Sequence, residues 1–469
     1  MNQEYENEQI ENILFDEIKI GLTAKLVRTL TEWEIQTYAG VSNQYGDIQL
    51  QDQLGSTSIN LQLVSHGVWV ASLVSTVIST NLPGPGSIYV DQRFHYNQSI
   101  KLGDTVTLII TVTAKEPINK VVTLDCEVRN QKGDIVVIGE IKVIAPLTKI
   151  RQTKIQLSPQ KRFSPESHVK DFLKLADNLE PVTCAIVHPC DRESIAGLLE
   201  AAKQNLITPI LIGSSYRINQ IAEESSLDIK QFRIIESPHS HAAAEIAASM
   251  AQSGEVEALM KGSLHTDELM HAVLQNKNLR TKRRVSHIFR FEVPLYDKPI
   301  LISDAALNIK PNLLEKRDIV QNAIDLSIIL KSEKPNVAIL SAVETINPDI
   351  PSTIDAAALC KMADRGQITG GILDGPLAFD NAVSLEAKRI KHIISQVAGQ
   401  ADILIVPDLE SGNMLSKQLE YLAGAVMSGV VLGCKIPIAL TSRADGPLSR
   451  IASAALAKLV AHHYRRIKP

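Results

Sequence analysis

The stretch Ile403-Leu404-Ile405-Val406-Pro407-Asp408-Leu409-Glu410-Ser411-Gly412-Asn413 decides the fold class. An apolar run of strand length ends on a proline and an acid, then enters a loop made of the residue types that start a helix. The pattern recurs along the chain. Residues 184–187 lead to His188, 300–303 to Asp304, 337–340 to Ser341, 371–373 to Asp374, and 436–440 to Thr441-Ser442-Arg443. Helical patterns separate many of these runs; across residues 414–429, Leu415, Leu419, Leu422 and Val426 share one face. Strands alternating with helices imply an α/β fold with a mainly parallel sheet. Ligands of such sheets bind beyond the carboxyl ends of the strands. The polar strand ends are therefore expected to converge on one cleft.

Upstream the texture changes. Residues 62–81 are apolar on nearly every face, which predicts a helix buried all round. Strand-like runs follow at 87–96, 105–114, 120–130 and 134–145, the last two joined by the hairpin signal Gln131-Lys132-Gly133. A buried helix followed by an antiparallel meander is an α+β pattern, a sheet around one helix. The expected organisation is an acidic segment at 1–14, a first domain at 15–146, a polar linker with Ser158-Pro159 and Ser164-Pro165 at 147–168, and a second domain at 169–469.

Composition narrows the function classes. The net charge of −4, with 4% aromatic residues, gives neither a basic footprint nor stacking platforms for nucleic acid. The one basic run, Arg280 with Lys282-Arg283-Arg284, is short and reads as a solvated loop. Five scattered cysteines lack metal-ligand spacing and read as thiols in a reducing compartment. The first residues carry no signal-peptide pattern, and the longest apolar stretch, 422–434, is too short for a bilayer. The expectation is a cytoplasmic protein with no membrane partner and no metal.

Two loops have the residues of a phosphate cradle. In Lys261-Gly262-Ser263-Leu264-His265-Thr266, a glycine turn precedes a helix, with Thr266 as its cap and Asp267 and Glu268 in the first turn. Backbone N–H groups there would hold an anion, and Lys261 would add charge. The loop from Asp408 through Gly412 and Asn413 is of the same kind. There is no Walker lysine pattern and no complete dinucleotide glycine fingerprint, so no nucleotide cofactor is expected.

The ordered set 259–262, Asp374-Gly375-Pro376-Leu377, Pro407-Asp408-Leu409 with Gly412-Asn413, and Thr441-Ser442-Arg443 resembles the phosphate acetyl/butyryltransferase family, from near Lys170 to the C-terminus. The resemblance implies a two-lobed α/β fold like that of isocitrate dehydrogenases, a homodimer, and acyl transfer between an acyl phosphate and coenzyme A as co-substrate, giving acyl-CoA and phosphate. It assigns Arg443 to phosphate, whose oxyanions its planar fork matches, and Ser442 to the reacting group. The family's carboxylate base falls here at Ser449, and the nearby Asp445 is the candidate in its place. Acetyl-specific members carry an arginine where this chain has His271, and a longer insert before the glycine turn. These departures look closer to the butyryl or broader-acyl branch. They leave the second phosphate cation open among Arg280, Arg283 and Arg284. Acyl-CoA sensing without catalysis is the competing class; the retained Ser442 and Arg443 favour catalysis.

The first domain, through His66-Gly67, Leu82-Pro83-Gly84-Pro85-Gly86 and Gly103-Asp104-Thr105, resembles the MaoC-like hotdog enoyl-CoA hydratases. In that family an aspartate and a histidine five positions later activate the water that adds to the double bond. The matching positions here are Gln44 and Gln49, with Asp47 nearby. A carboxamide does not titrate, and general acid–base catalysis is worth about 10²–10⁴-fold. The expectation is an acyl-CoA-binding domain defective as a hydratase, with the Gly67 amide donating to the thioester carbonyl. A bifunctional hydratase–transferase is the alternative.

Overall fold

A computed structural model describes residues 9–31, 34–35, 37–38, 67–153, 165–440 and 446–469. The chain divides into two compact units, residues 1–157 and 158–469.

The first unit holds strands β1 (Gln9–Glu11), β2 (Thr23–Thr29), β3 (Ile88–Tyr96), β4 (Thr105–Glu116), β5 (Val121–Arg129), β6 (Ile135–Ile144) and β7 (Arg151–Thr153) and the helix Gly67–Thr80. Five of them form an antiparallel sheet in the order β2-β4-β5-β6-β3. The alternation along β4 buries Val106, Leu108, Ile110 and Val112 against Trp69, Val70, Leu73, Val74, Val77 and Ile78 of the helix. This is the expected hotdog arrangement, a sheet wrapped on a helix. The helix is not buried all round, however: Ser75, Thr76 and Ser79 are exposed. Thr76 and Ser79 return their hydroxyls to the carbonyls of Ser72 and Thr76, so these hydroxyls bond locally. The hairpin turn forms as expected. Asn130 Oδ1 accepts from the amides of Lys132 and Asp134, and Gly133 takes φ +90°.

The expected boundaries shift at both ends of this unit. β1 pairs antiparallel with β7, and Asn12 beside it is a buried hub. Its Nδ2 donates to the carbonyls of Pro85 and Thr148, and its Oδ1 accepts from the Ile150 amide. Residues 9–12 and 147–153 therefore belong to the first unit's fold rather than to a tail and a linker.

The second unit holds β8 (Val182–Val187), β9 (Ile207–Gly213), β10 (Arg233–Glu236), β11 (Ala258–Lys261), β12 (Ser286–Glu292), β13 (Ile300–Ser303), β14 (Asn336–Leu340), β15 (Ile372–Leu377), β16 (Ile403–Ile405), β17 (Val426–Leu432) and β18 (Ile438–Ala439). They form one 11-stranded sheet in the order β10-β9-β8-β11-β18-β17-β12-β13-β16-β14-β15. Both wings are parallel, as expected. At the centre, β18–β17, β17–β12 and β12–β13 are antiparallel, so β13 and its wing run opposite to β18 and its wing. The strand ends therefore fall in two rows, one per wing.

Two further expectations fail for local reasons. The helix predicted over 414–429 is Leu409–Tyr421. Gly424 takes φ +64°, and the β-branched run beyond it becomes β17, so Val426 is on a strand. Asp374 lies inside β15 rather than at its end, because pairing with β14 continues past it to Leu377.

Candidate functional site

The first row of strand ends is stitched at the turn after β11. Lys261 pairs in register with Val187. The Gly262 amide donates to the Val187 carbonyl at 2.9 Å, and the Ser263 amide and hydroxyl both donate to the His188 carbonyl at 2.9 Å. The Ser263 hydroxyl in turn accepts from the Cys190 amide at 3.1 Å. The amides proposed as an anion cradle thus hold two strand ends together. Lys261 is buried, and its Nζ donates to the carbonyls of Gly262 (3.3 Å) and Leu264 (3.1 Å), bracing its own turn. In the following helix, Thr266–Gln275, the N-cap position is His265 rather than Thr266, and its side chain makes no capping bond. His188 leaves β8 at φ +55°. Burial, helped by Arg217, pushes its imidazole pKa down, against the carboxylates of Glu268 and Asp191.

β18 lies next to β11, with Leu259 opposite Ile438 and Met260 opposite Ala439. Leu440 therefore ends beside the Lys261 turn and leads into residues 441–445. Ser442, Arg443 and Asp445 lie outside the described residues, as do Gln44, Gln49 and His66. Gly67 is the first residue of the first unit's helix. Both flanks of 441–445 are rooted on Gly429. Its carbonyl accepts from the Leu440 amide at 3.3 Å, and its amide donates to Ser453 Oγ at 3.0 Å. Ser453 Oγ then donates to the Ser449 carbonyl.

Across β17 sits a residue that the sequence reading missed. His287 is 1% exposed, and neither ring nitrogen has a hydrogen-bond partner among the described residues. Its backbone is fixed from both sides: the amide donates to Asp304 Oδ2 at 3.3 Å, and the carbonyl accepts from Ser303 Oγ at 2.9 Å. The ring packs edge-on to Phe289, centroids 4.2 Å apart. Burial pushes its pKa down to about 3. The signals in the sequence were Ser286-His287 opening an apolar strand and Gly429 inside another.

The second row is organised around Asp304. Its buried carboxylate accepts from the amides of Ala306 (2.9 Å), Leu307 (3.0 Å) and His287, and from Asn308 Nδ2. Burial raises its pKa despite those bonds. Gly412 packs on this turn, since a β-carbon there would meet the Asp304 carbonyl oxygen at 2.8 Å, and Asn413 Nδ2 donates to the Ala305 carbonyl at 3.3 Å. Asp408 caps its helix by accepting from the Ser411 amide and hydroxyl. Burial works to raise its pKa, but those bonds, with Lys316 and Lys310, hold it below the ordinary value. The carboxylate thus occupies the helix end proposed for phosphate. Asp374 accepts from the Gly375 amide on the edge strand, six strands from β18, and does not join the Lys261 group. Of the cations, His271 is exposed, Arg280 Nε donates to the Leu274 carbonyl, and Arg283 pairs with Asp325. Arg284 joins the Asp304 network through Asn308 Oδ1 at 2.6 Å. Among the described residues, no group of three or more His, Cys, Asp and Glu side chains is arranged to hold a metal ion, and no helix is long and apolar enough to cross a membrane.

The phosphate acetyl/butaryl transferase family model matches residues 240–457. The chain is 55% identical to the phosphate acetyltransferase of Rickettsia felis over 63% of this chain and 85% of that one. It is 40% identical to a probable phosphate butyryltransferase of Bacillus subtilis over 63% of this chain and 99% of that one. In structure, it is similar to a branched-chain phosphotransacylase from Enterococcus faecalis (29% identity, 60% of this chain, 99% of that one, TM-score 0.53). A further likeness, to the R-hydratase PhaJ1 of Pseudomonas aeruginosa, has 32% identity, 32% of this chain, 97% of that one and a TM-score of 0.30.

Proposed function

We propose, from the premise that the chain belongs to the phosphate acetyl/butaryl transferase family, that it transfers a short acyl group between coenzyme A and phosphate. The observation that carries the reading is 55% identity across 85% of a phosphate acetyltransferase, with Ser442-Arg443 retained next to the strand end at Leu440. In the direction of thioester formation, the coenzyme A sulfur attacks the carbonyl carbon of the acyl phosphate, and the thiol proton passes to Asp445. The tetrahedral intermediate collapses by breaking the carbon–oxygen bond, and phosphate leaves. Arg443 pairs with the phosphate oxygens and Ser442 donates to the reacting group. Donors fixed at a developing charge are the largest single source of rate in such transfers. Lys261 and Ser263 act indirectly in this reading, by fixing the β8 and β11 ends beside the β18 end that the pair follows. The reaction is proposed to need no metal ion and no nucleotide, and the protein to work as a homodimer.

The first unit is proposed to bind acyl-CoA at its helix start, His66-Gly67, without hydrating it, because Gln44 and Gln49 hydrogen-bond water but do not titrate. The test is coenzyme A acylation by acetyl, propionyl and butyryl phosphate, with crotonyl-CoA hydration assayed alongside. Turnover of at least one acyl phosphate is expected, with no hydration above background. Acyl-CoA binding without turnover of any C2–C5 acyl phosphate would establish a sensor instead. A robust hydration rate lost on changing Asp47 or His66 would establish a bifunctional enzyme.

A further inference from the structure

A buried imidazole with both nitrogens unpartnered is destabilising, because each lost water bond goes unreplaced. His287 is such a residue, held in place by Asp304 and Ser303 through its backbone alone. The fold also leaves no room for a side chain at its tip. A β-carbon on Gly429 would stand 2.6 Å from His287 Nε2 and 3.0 Å from the Leu440 carbonyl oxygen. Glycine inside a buried strand gives up packing and conformational entropy. Here the absent side chain leaves a gap too narrow to hold even a β-carbon, with an imidazole nitrogen on one side and a carbonyl oxygen on the other. That carbonyl belongs to the residue before Thr441-Ser442-Arg443. Gly429 itself bonds to Leu440 and, through Ser453, to the segment after Gly446.

We propose that His287 is a positioning residue for acyl transfer: when substrate is bound, its neutral ring donates Nε2–H across the Gly429 gap to the Leu440 carbonyl and sets the strand end that carries Ser442 and Arg443. A neutral ring suits this role, because it donates one bond without placing a second positive charge behind Arg443. Among the described residues the ring meets Phe289, Gly429 and the Leu440 carbonyl, and the Asp304 carboxylate accepts from its backbone amide. The proposal rests on the acyl-transfer reading and adds to it a residue outside the family motifs quoted above.

The test compares full-length wild type, His287→Leu, His287→Gln and Gly429→Ala. His287→Leu should melt at or above the wild-type temperature, since it removes unpartnered polar atoms, yet lose kcat by about 10-fold or more with KM for coenzyme A little changed. His287→Gln keeps an N–H and should recover part of kcat; Gly429→Ala, which fills the gap, should lower kcat with the ring still present. A merely structural histidine would move stability and leave kcat alone. Wild-type kcat in His287→Leu, or no recovery in His287→Gln, would overturn the proposal. If His287→Leu fails to fold, His287→Gln and Gly429→Ala decide: full kcat in both overturns it. A wild type inactive on every acyl phosphate sinks the acyl-transfer reading itself; an active wild type with unaffected variants sinks only the role of His287.

Discussion

A β-carbon on Gly262 would stand 2.5 Å from the carbonyl oxygen of Val187 and 2.6 Å from that of His188. Both are backbone atoms on the neighbouring strand end, so they do not swing aside as a flexible side chain would. Gly262→Ala must therefore push β8 and β11 apart at the root of the proposed site. The expected cost is about 1–3 kcal/mol of stability, with a fall in coenzyme A acylation beyond what unfolding explains. Denaturant melts and turnover at saturating substrate check both; an unchanged melt would mean that the strands separate freely.

Arg443→Ala should weaken phosphate binding and turnover together. Loss of a charge-assisted bond to a transition-state oxyanion costs on the order of 3 kcal/mol, or 10²-fold in rate. Arg443→Lys should recover only part, because an ammonium lacks the planar fork. Initial rates at subsaturating phosphate decide this, and near-wild-type rates in Arg443→Ala would move the site elsewhere.

Stability in acid should carry the signature of His287. Its ring stays neutral in the fold down to about pH 3 but takes a proton near 6.5 when the chain unfolds. Between those values the unfolded chain holds the extra proton, so stability falls as pH drops through that window, by up to about 1.4 kcal/mol per unit. His287→Leu removes this contribution. Denaturant midpoints at pH 7, 6 and 5 should fall less in the variant than in the wild type; parallel curves would contradict the assignment.

Asn12→Ala removes a side chain that bonds to Pro85, Thr148 and Ile150 at once. With the buried Pro85 carbonyl and the Ile150 amide left unpaired, the first unit should lose on the order of 3 kcal/mol. Acyl transfer by the second unit should continue unchanged. Calorimetry paired with the acylation assay separates the two effects, and a parallel loss of activity would show that the units depend on each other.

The sequence made the alternation legible because β4 and β5 bury nearly every second side chain, and because apolar runs such as 403–405 sit between helical patterns. It did not reveal the reversal at β17 and β12, since Val426–Leu432 has the same apolar look as the end of a helix and only Gly424 marks the break. Asp408 and Lys261 were legible as residues of strand-end loops. Their actual engagements, a cap on Ser411 and a brace on the carbonyls of Gly262 and Leu264, depend on which way each side chain turns. His287 was invisible for a different reason: its surroundings come from Gly429 and Leu440, more than 140 residues away along the chain.

The antiparallel pair at the sheet's centre has a consequence for how the second unit can be taken apart. Glu292, the last residue of β12, faces Val426, the first of β17, so the chain departs and returns at adjoining points. By connectivity, residues 293–425 are an insert that a two-residue hairpin would splice out. By energetics they are not. Ile319, Val320, Ala323 and Ile324 of helix Leu313–Ile329 share one apolar cluster with Ile451, Ala454 and Ala455 of helix Pro447–Arg466. A lobe transplanted from a relative at that seam would fit the backbone, but it would fold only if helix 313–329 travelled with its own partner helix.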